Sequence, residues 1–386
     1  MASSYSMKDL DPASYERKRS MSCNKESIEE CDAMLAAPVK IGQYSLTVEK
    51  ETEHREIIFN DSYLTYLWMP PKGEQYAFDL SESYDKFRHI NWCAAANVKL
   101  DEFLQWIIKN RKQLFSCNDQ KPLETDFITY RGVLTKILVT PFVRDKWLIG
   151  ATKFKGTIYL CPYYEHVQLD KVGNEMSYGG LRFEHYLTRS NPNETNKTEP
   201  FTSKKEEYSV VMRSKVQSNL GKIYLMYAAE VDCLDLGKTD SNIMENFVEI
   251  KTTRHMRHEN QIRNFQRFKL IKWWAQSYLI GVSKIICGYK DDRHVVDDIE
   301  SMDVHQIPRK CAQHWSRRQC LNFLRQFLSF VQQTVVDDDP HQVYLFSNED
   351  TNQISTRKLL ISSHYQILPD WYIREWSKNS KNVDLL

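Results

Sequence analysis

A chain of 386 residues with a net charge of only +1 has no global field to gather nucleic acid, so any such contact must come from a local basic groove. With 41% hydrophobic and 12% aromatic residues it buries a sizeable core, and its length admits one large α/β domain as readily as two or three smaller ones. Nine cysteines without a CxxC pair and no signal peptide predict reduced thiols inside a cell, and no apolar run approaches the ~20 residues that span a bilayer, so secreted and membrane classes are set aside.

Residues 1–37 are polar, serine-rich and without a period, which predicts a flexible N-terminal tail before one domain over 38–376, with 377–386 as a second tail. QYSLTVEKETEHREIIFNDSYLTYLWMPP (43–71) reads as short strands closed by Pro70 and Pro71. VKLDEFLQWIIKNRKQLF (98–115) puts Leu100, Phe103, Leu104, Ile107 and Ile108 on one stripe, an amphipathic helix with a core role. TDFITYRGVLTKILVTPF (125–142) begins as a strand, passes through Tyr130-Arg131-Gly132, and continues at helical spacing through Val133, Leu134, Ile137 and Leu138. An arginine at such a junction, beside a glycine that permits close backbone approach, suits a phosphate contact; the plain alternative is a surface arginine at a turn. KGTIYLC (155–161) is another strand, and SYGGLRFEHYLT (177–188) a short helix that leaves Glu184 as a further carboxylate or a solvated helix residue. The run 189–207 is too hydrophilic to pack and reads as a mobile loop, after which EYSVVMRSKV (207–216) resumes the sheet.

The densest pattern lies in 222–253. Ile223, Leu225, Tyr227, Ala229 and Val231 fall on one side of a strand, and Tyr224, Met226, Ala228, Glu230 and Asp232 on the other. Val248 and Ile250 oppose Glu249 and Lys251 in the same way, and the Gly, Asp, Asn and Ser between the runs read as a connection. If the two strands pair as a hairpin, Glu230, Asp232, Glu249 and Lys251 share a face. Clustered carboxylates raise one another's pKa unless a cation sits among them, and a hard divalent ion, Mg²⁺ or Mn²⁺, is the usual answer. A lysine beside it holds the attacking water or offsets charge building on a phosphate. Acidic strand, turn and Glu-x-Lys is the core pattern of the PD-(D/E)xK nucleases; a bland pair of amphipathic edge strands is the competing reading.

Beyond it, HENQIRNFQRFKLIKWWAQSYLIGV (258–282) is a long helix with Lys269, Lys272 and Gln276 on one face and Trp273 and Trp274 in its apolar surface. His255 and His258 lack a third soft ligand and read as surface histidines. KIICGY and RHVVDD (284–298) give further strands, and QCLNFLRQFLSFVQQTVV (319–336) a helix ended before Pro340, with Asp337, Asp338 and Asp339 as a solvated terminus.

Tyr130-Arg131-Gly132, Gly180-x-x-Phe183-Glu184, Glu230-x-Asp232, Glu249-x-Lys251 and Lys272-Trp-x-x-x-Gln276, in that order, resemble the decapping nuclease family, also called DXO or Dom3Z, from about residue 42 to residue 372. The resemblance implies an α+β fold of two mixed β-sheets surrounded by helices, with a PD-(D/E)xK nuclease-like core in a deep cleft. It implies metal-dependent removal of incomplete or non-canonical RNA 5′ ends (an NAD cap, an unmethylated cap, a triphosphate) to leave a 5′-monophosphate, followed by 5′→3′ degradation. Carried over by motif, Glu184, Glu230, Asp232, Glu249 and the main-chain carbonyl of Ile250 hold two Mg²⁺ or Mn²⁺ ions, and Glu230, Asp232, Glu249 and Lys251 form the catalytic set. Arg55, Tyr130, Arg131, Gly132, Ser209, Glu230, Lys251 and Gln276 meet the substrate. Three departures bear on cap preference: Ser209 stands for the family's cysteine, Tyr130 for its frequent tryptophan, and a further acidic contact aligns with Val98 and is not carried.

The expectation is therefore an intracellular RNA 5′-end hydrolase, in the nucleus by preference, with no membrane and no DNA substrate. A DNA-acting nuclease with the same core and a non-enzymatic partner that stabilises a 5′→3′ exoribonuclease, as fungal relatives do, are the competing readings. Retained clusters of carboxylates argue against the second as a sole role.

Overall fold

The computed structural model describes residues 11–48, 55–87, 99–116, 120–163, 171–194, 201–204, 206–237, 243–350, 352–360 and 363–379. In chain order the elements that position the site are α1 (Asp101–Lys109), β1 (Phe127–Tyr130), α2 (Arg131–Val139), α3 (Lys171–Leu187), β2 (Glu207–Ser218), β3 (Gly221–Glu230), β4 (Cys233–Leu234), β5 (Phe247–Arg254), α4 (Leu270–Ile280) and β6 (Lys284–Lys290).

Strand β3 lies near the middle of an 11-stranded mixed sheet, antiparallel to β2 and parallel to β1. Ile223, Leu225, Tyr227 and Ala229 enter one core, and Met226 and Ala228 enter another on the opposite face. The alternation in its sequence therefore separates two interiors, and each fully buried Leu or Met contributes roughly 1.5–3 kcal/mol by leaving water. Helices α2, α4 and Arg317–Thr334 fill the first core, presenting Leu134, Ile137, Ile271, Trp274, Leu324 and Phe327. Helix α1 and the C-terminal helix Asp370–Asn379 cover the second, through Phe103, Leu104, Tyr372 and Trp376.

A seven-stranded sheet carries β4, β5 and β6 side by side, β4 antiparallel and β6 parallel to β5. Helix α3 packs on it through Phe183 and Leu187 against Val248, Ile250 and Ile286. The expected hairpin of β3 with β5 does not form. The chain leaves the first sheet at Glu230, turns at Val231 and Asp232, and enters the second as β4, whose Cys233 and Leu234 pair with Val248 and Phe247. A strand whose two faces are both apolar needs a partner layer on each, so β3 pairs in the large sheet and only its continuation reaches β5.

Two further expectations change. Residues 11–37, read as a flexible tail, hold a strand, Tyr15–Ser22, antiparallel to Gln353–Leu359, and a short strand, Met34-Leu35, on β2; Cys31 and Ala33 are buried. Within 189–207, read as a mobile loop, Arg189 and Phe201 are buried, and Phe201 lies against His185 of α3. Residues 1–10 and 380–386, and the aligned Val98, lie outside the described residues.

Candidate active site

The site forms where the two sheets meet. β1 ends in extended backbone at Tyr130 and becomes helical at Arg131, so the guanidinium stands at the junction that the sequence predicts. Arg131 Nη1 donates to Glu249 Oε1 at 3.0 Å. A Cβ on Gly132 would meet nothing within 4 Å, so packing does not call for glycine in this first helical turn, where it costs about 1 kcal/mol relative to alanine. The residue leaves a bare backbone instead.

Glu184 arrives from α3, Glu230 from the end of β3, Asp232 from the crossover, and Glu249 and Lys251 from alternate positions of β5. Glu249 is 1% exposed. Lys251 Nζ lies 2.6 Å from Glu249 Oε2 and 3.5 Å from Asp232 Oδ2, while Asp232 Oδ2 also accepts the Ile250 amide at 2.7 Å. A second ammonium, that of Lys204, bridges the other pair, 2.9 Å from Glu184 Oε1 and 2.8 Å from Glu230 Oε1. Four carboxylates thus share three cations, Lys204, Arg131 and Lys251, and the surplus is negative.

The electrostatics divide the acids. Burial raises Glu249, but Lys251 and Arg131 overcome it and hold the carboxyl at about 2. Burial pushes Asp232 up to about 7, with Lys251 opposing and Glu249, Glu184 and Glu230 adding to the rise. Glu230 is held below its ordinary value because Lys204 and Arg131 outweigh its burial. Lys251 stays protonated, since Asp232 and Glu249 more than offset the cost of burying it. It is a donor at neutral pH, not a base.

A second polar group adjoins the first. Arg55 Nε lies 3.0 Å from Glu102 Oε1, and its Nη2 donates to Glu207 Oε2 at 3.3 Å; Tyr130 donates its hydroxyl to Glu102 at 3.2 Å. Burial, then Glu230, pushes Glu207 up to about 7. Ser209 lies opposite Glu230 in the β2–β3 register. A pocket of about 550 Å³ opens beside these groups, with Glu184, Lys204, Glu207, Glu230 and Asp232 in its wall.

Of the residues picked out from sequence, Glu184, Glu230, Asp232, Glu249, Ile250, Lys251 and Arg131 come together directly, and Arg55, Tyr130 and Ser209 border them. Gln276 is half-buried on α4 and bonds none of the four carboxylates. Lys269 and Lys272, read with it as one face, diverge: Lys272 pairs with Asp145, and Lys269 lies on Thr253. His255 pairs with Asp297 at 2.6 Å, which leaves it structural. Lys204, Glu102 and Glu207 were not picked out. Glu102 looks like an acid favoured in a first helical turn, a role that hides its burial. Lys204 sits in a run whose polarity suggests solvent.

The donor set is oxygen only, which suits a hard divalent cation. No three acidic, histidine or cysteine side chains among the described residues converge on one point, because the two ammonium groups draw the carboxylates apart in pairs. The chemistry fits a metal; the positive charge now among the acids is supplied by lysine.

A model of the RAI1-like PD-(D/E)XK nucleases matches residues 36–373. The chain belongs to that family. Among its RAI1-like relatives, the Decapping and exoribonuclease protein of Bos taurus is 30% identical over 351 residues, 87% of this chain and 84% of that protein. The human protein of the same name is 30% identical over 357 residues, 89% of this chain and 86% of that protein. Candida albicans Rai1, solved in complex with pU5-Mn2+, superposes with a TM-score of 0.77 at 20% identity, covering 94% of this chain and 100% of that chain. Scheffersomyces stipitis Rai1, solved with (3'-NADP)+ and calcium ion, superposes with a TM-score of 0.75 at 20% identity, covering 93% and 100%. The α+β architecture with two mixed sheets is thus the RAI1-like fold.

Proposed function

We propose that this protein is a divalent-metal-dependent hydrolase of RNA 5′ ends, removing a triphosphate, an unmethylated cap or an NAD cap to leave a 5′-monophosphate, and then degrading the RNA 5′→3′. The observation that carries the reading is the meeting of four carboxylates from α3, β3, the crossover and β5 around Lys204, Lys251 and Arg131, in a chain of a nuclease family. The names of the bovine and human relatives and the pU5 and (3'-NADP)+ ligands of the two Rai1 structures support RNA 5′ ends as substrate.

In this reading Glu184, Glu230, Asp232, Glu249 and the Ile250 carbonyl hold two Mg²⁺ or Mn²⁺ ions. When bound, these stabilise the attacking and leaving oxygens of an in-line displacement at phosphorus. Arg131, released in part from Glu249, clamps a phosphate oxygen, and Lys251 donates to the water or to the charge that builds on the phosphate. Arg55, fixed by Glu102 and Glu207, and Ser209 orient the 5′ group, with Gln276 on the RNA side. Selectivity then rests on the shape of the 5′ group and not on base sequence.

The test gives purified protein, with and without Mg²⁺ or Mn²⁺, equal amounts of RNA bearing each 5′ end and a matched DNA. Metal-dependent release of pyrophosphate, cap dinucleotide or NAD with 5′-monophosphate RNA is the expected result. Faster cutting of DNA, or no cutting at all, overturns it.

A further inference from the structure

The pocket beside the carboxylates is acidic. Among the described residues that line it are Glu184, Glu206, Glu207, Glu230 and Asp232, and Lys204 is the only lysine or arginine. In this structure that ammonium is fully engaged, since it bridges Glu184 Oε1 and Glu230 Oε1 at 2.9 and 2.8 Å. Its backbone is anchored close by. Phe201 is buried, with its ring 4.6 Å from that of His185 on α3 and 5.0 Å from that of Phe87. His185 follows Glu184 in the chain, so one helix holds both the anchor of Lys204 and one of its two partners. An ammonium displaced from Glu184 and Glu230 therefore stays within reach of the pocket, about 550 Å³ of space that its own stem lines. With metal on Glu184, Glu230 and Asp232, and Arg55 on Glu207, these acids no longer repel an incoming anion. Glu206 is exposed to solvent. Lys204 is then left half-buried without its two counter-charges, a costly state that an anion in the pocket relieves.

We propose that Lys204 is a phosphate-binding residue that becomes available only when metal takes its two carboxylates, and that it then favours 5′ ends with a free terminal phosphate, a triphosphate before a nucleoside cap. The inference rests on the RNA 5′-end reading above and deepens it by ranking the ends. The reacting phosphate belongs beside Glu249, Lys251 and Arg131; a phosphate beyond it reaches the pocket wall at Glu230, where Lys204 stands. A terminal phosphate carries about two negative charges at neutral pH. Those inside an NAD or dinucleotide cap are esterified on both sides and carry a single charge each. Lysine is a compact point charge, so it responds to this difference in charge and not to the planar shape an arginine fork would read.

The experiment gives wild type, Lys204→Met and Lys204→Arg, each at saturating Mn²⁺, RNAs of one sequence that end in a triphosphate or in an NAD cap. In Lys204→Met the ratio of kcat/KM, triphosphate over NAD cap, falls about tenfold, the loss of one charge-assisted phosphate contact, and the fall lies in KM. Lys204→Arg keeps most of the wild-type ratio. Binding is read separately, by fluorescence anisotropy of RNA ending in a triphosphate whose α–β bridge is a methylene. With Mn²⁺ the Met variant binds this RNA about tenfold more weakly than wild type. Without metal it shows no such loss, because Glu184 and Glu230 then occupy Lys204 in the wild type. An unchanged ratio, an equal loss on both ends, a loss that is the same with and without metal, or a wild type that processes only the NAD-capped RNA overturns the proposal. If wild type hydrolyses neither RNA while the metal-dependent loss of binding remains, the phosphate contact stands and the hydrolase reading falls. Should Lys204→Met fail to fold, Lys204→Gln, whose amide still donates to a carboxylate, carries the same test.

Discussion

Lys204 and Lys251 do for this site what a divalent ion does: each places positive charge between two carboxylates that repel. In the proposed reading, where Glu184 and Glu230 hold metal, Lys204 competes with it for the same oxygens. Lys204→Met should raise apparent Mn²⁺ affinity about tenfold, by analogy with a charge-assisted contact of about 1.5 kcal/mol that no longer has to break. The same variant should melt lower than wild type without metal and recover with it; calorimetry and thermal melts read both, and unchanged affinity would remove Lys204 from the contest. Asp232 sets the pH dependence. Its ordinary value is 3.8 and the folded protein holds it at about 7, so between these values the native state keeps a proton that the unfolded chain has lost. Metal-free stability from this group thus falls as pH rises from about 4 to about 7. Glu249, held at about 2, works the other way: its contribution is present above the ordinary carboxylate range and is lost as pH falls towards 2. If Asp232 ligates metal as proposed, binding displaces its proton, and Mn²⁺ affinity should climb with pH up to about 7 and then level. A flat profile across that window would take Asp232 out of the ligand set.

The acidic and Glu-x-Lys runs were readable as strands because Ile223 to Val231 and Val248 to Ile250 repeat every two residues. Their pairing was not. Alternation fixes which residues share a side, but both sides of β3 are buried, and the choice of β1 and β2 as partners is made by residues far away in sequence. Arg131 was readable because a strand-to-helix junction leaves a local trace; Lys204 was not, since its partners lie 20 and 26 residues away. The same elements show how the site is held. Gly288 of β6 lies under Phe183, the neighbour of Glu184, and a Cβ there would come within 2.5 Å of the ring. Gly288→Ala must push α3 off the second sheet. We expect a loss of about 1–3 kcal/mol in stability, as for other overpacked cores, with weaker Mn²⁺ binding through displaced Glu184. A variant that melts lower yet binds metal normally would show that α3 and Glu184 move independently.

At the scale of the whole molecule, the chain passes several times between the two sheets, most tightly at Val231 and Asp232, and helices α2 and α4 pack in the core that both sheets share. The N-terminal strand Tyr15–Ser22 read as a tail because YERKRSMS is the polar, charged sequence that protects a sheet edge, and protected edges and disorder look alike in composition. Deleting residues 1–37 should therefore expose the long strand Gln353–Leu359 and the core beneath Cys31 and Ala33. The truncated protein should aggregate, and light scattering of matched preparations checks it; a monomeric, fully active truncation would show that this edge is dispensable. The partnership also has a consequence for synthesis. Tyr15–Ser22 leaves the ribosome long before the strand it joins, Gln353–Leu359. It must wait, unpaired, until all the chain between them has emerged, so this edge of the large sheet is finished late. The nascent chain, more than the mature protein, is therefore the form that depends on chaperones.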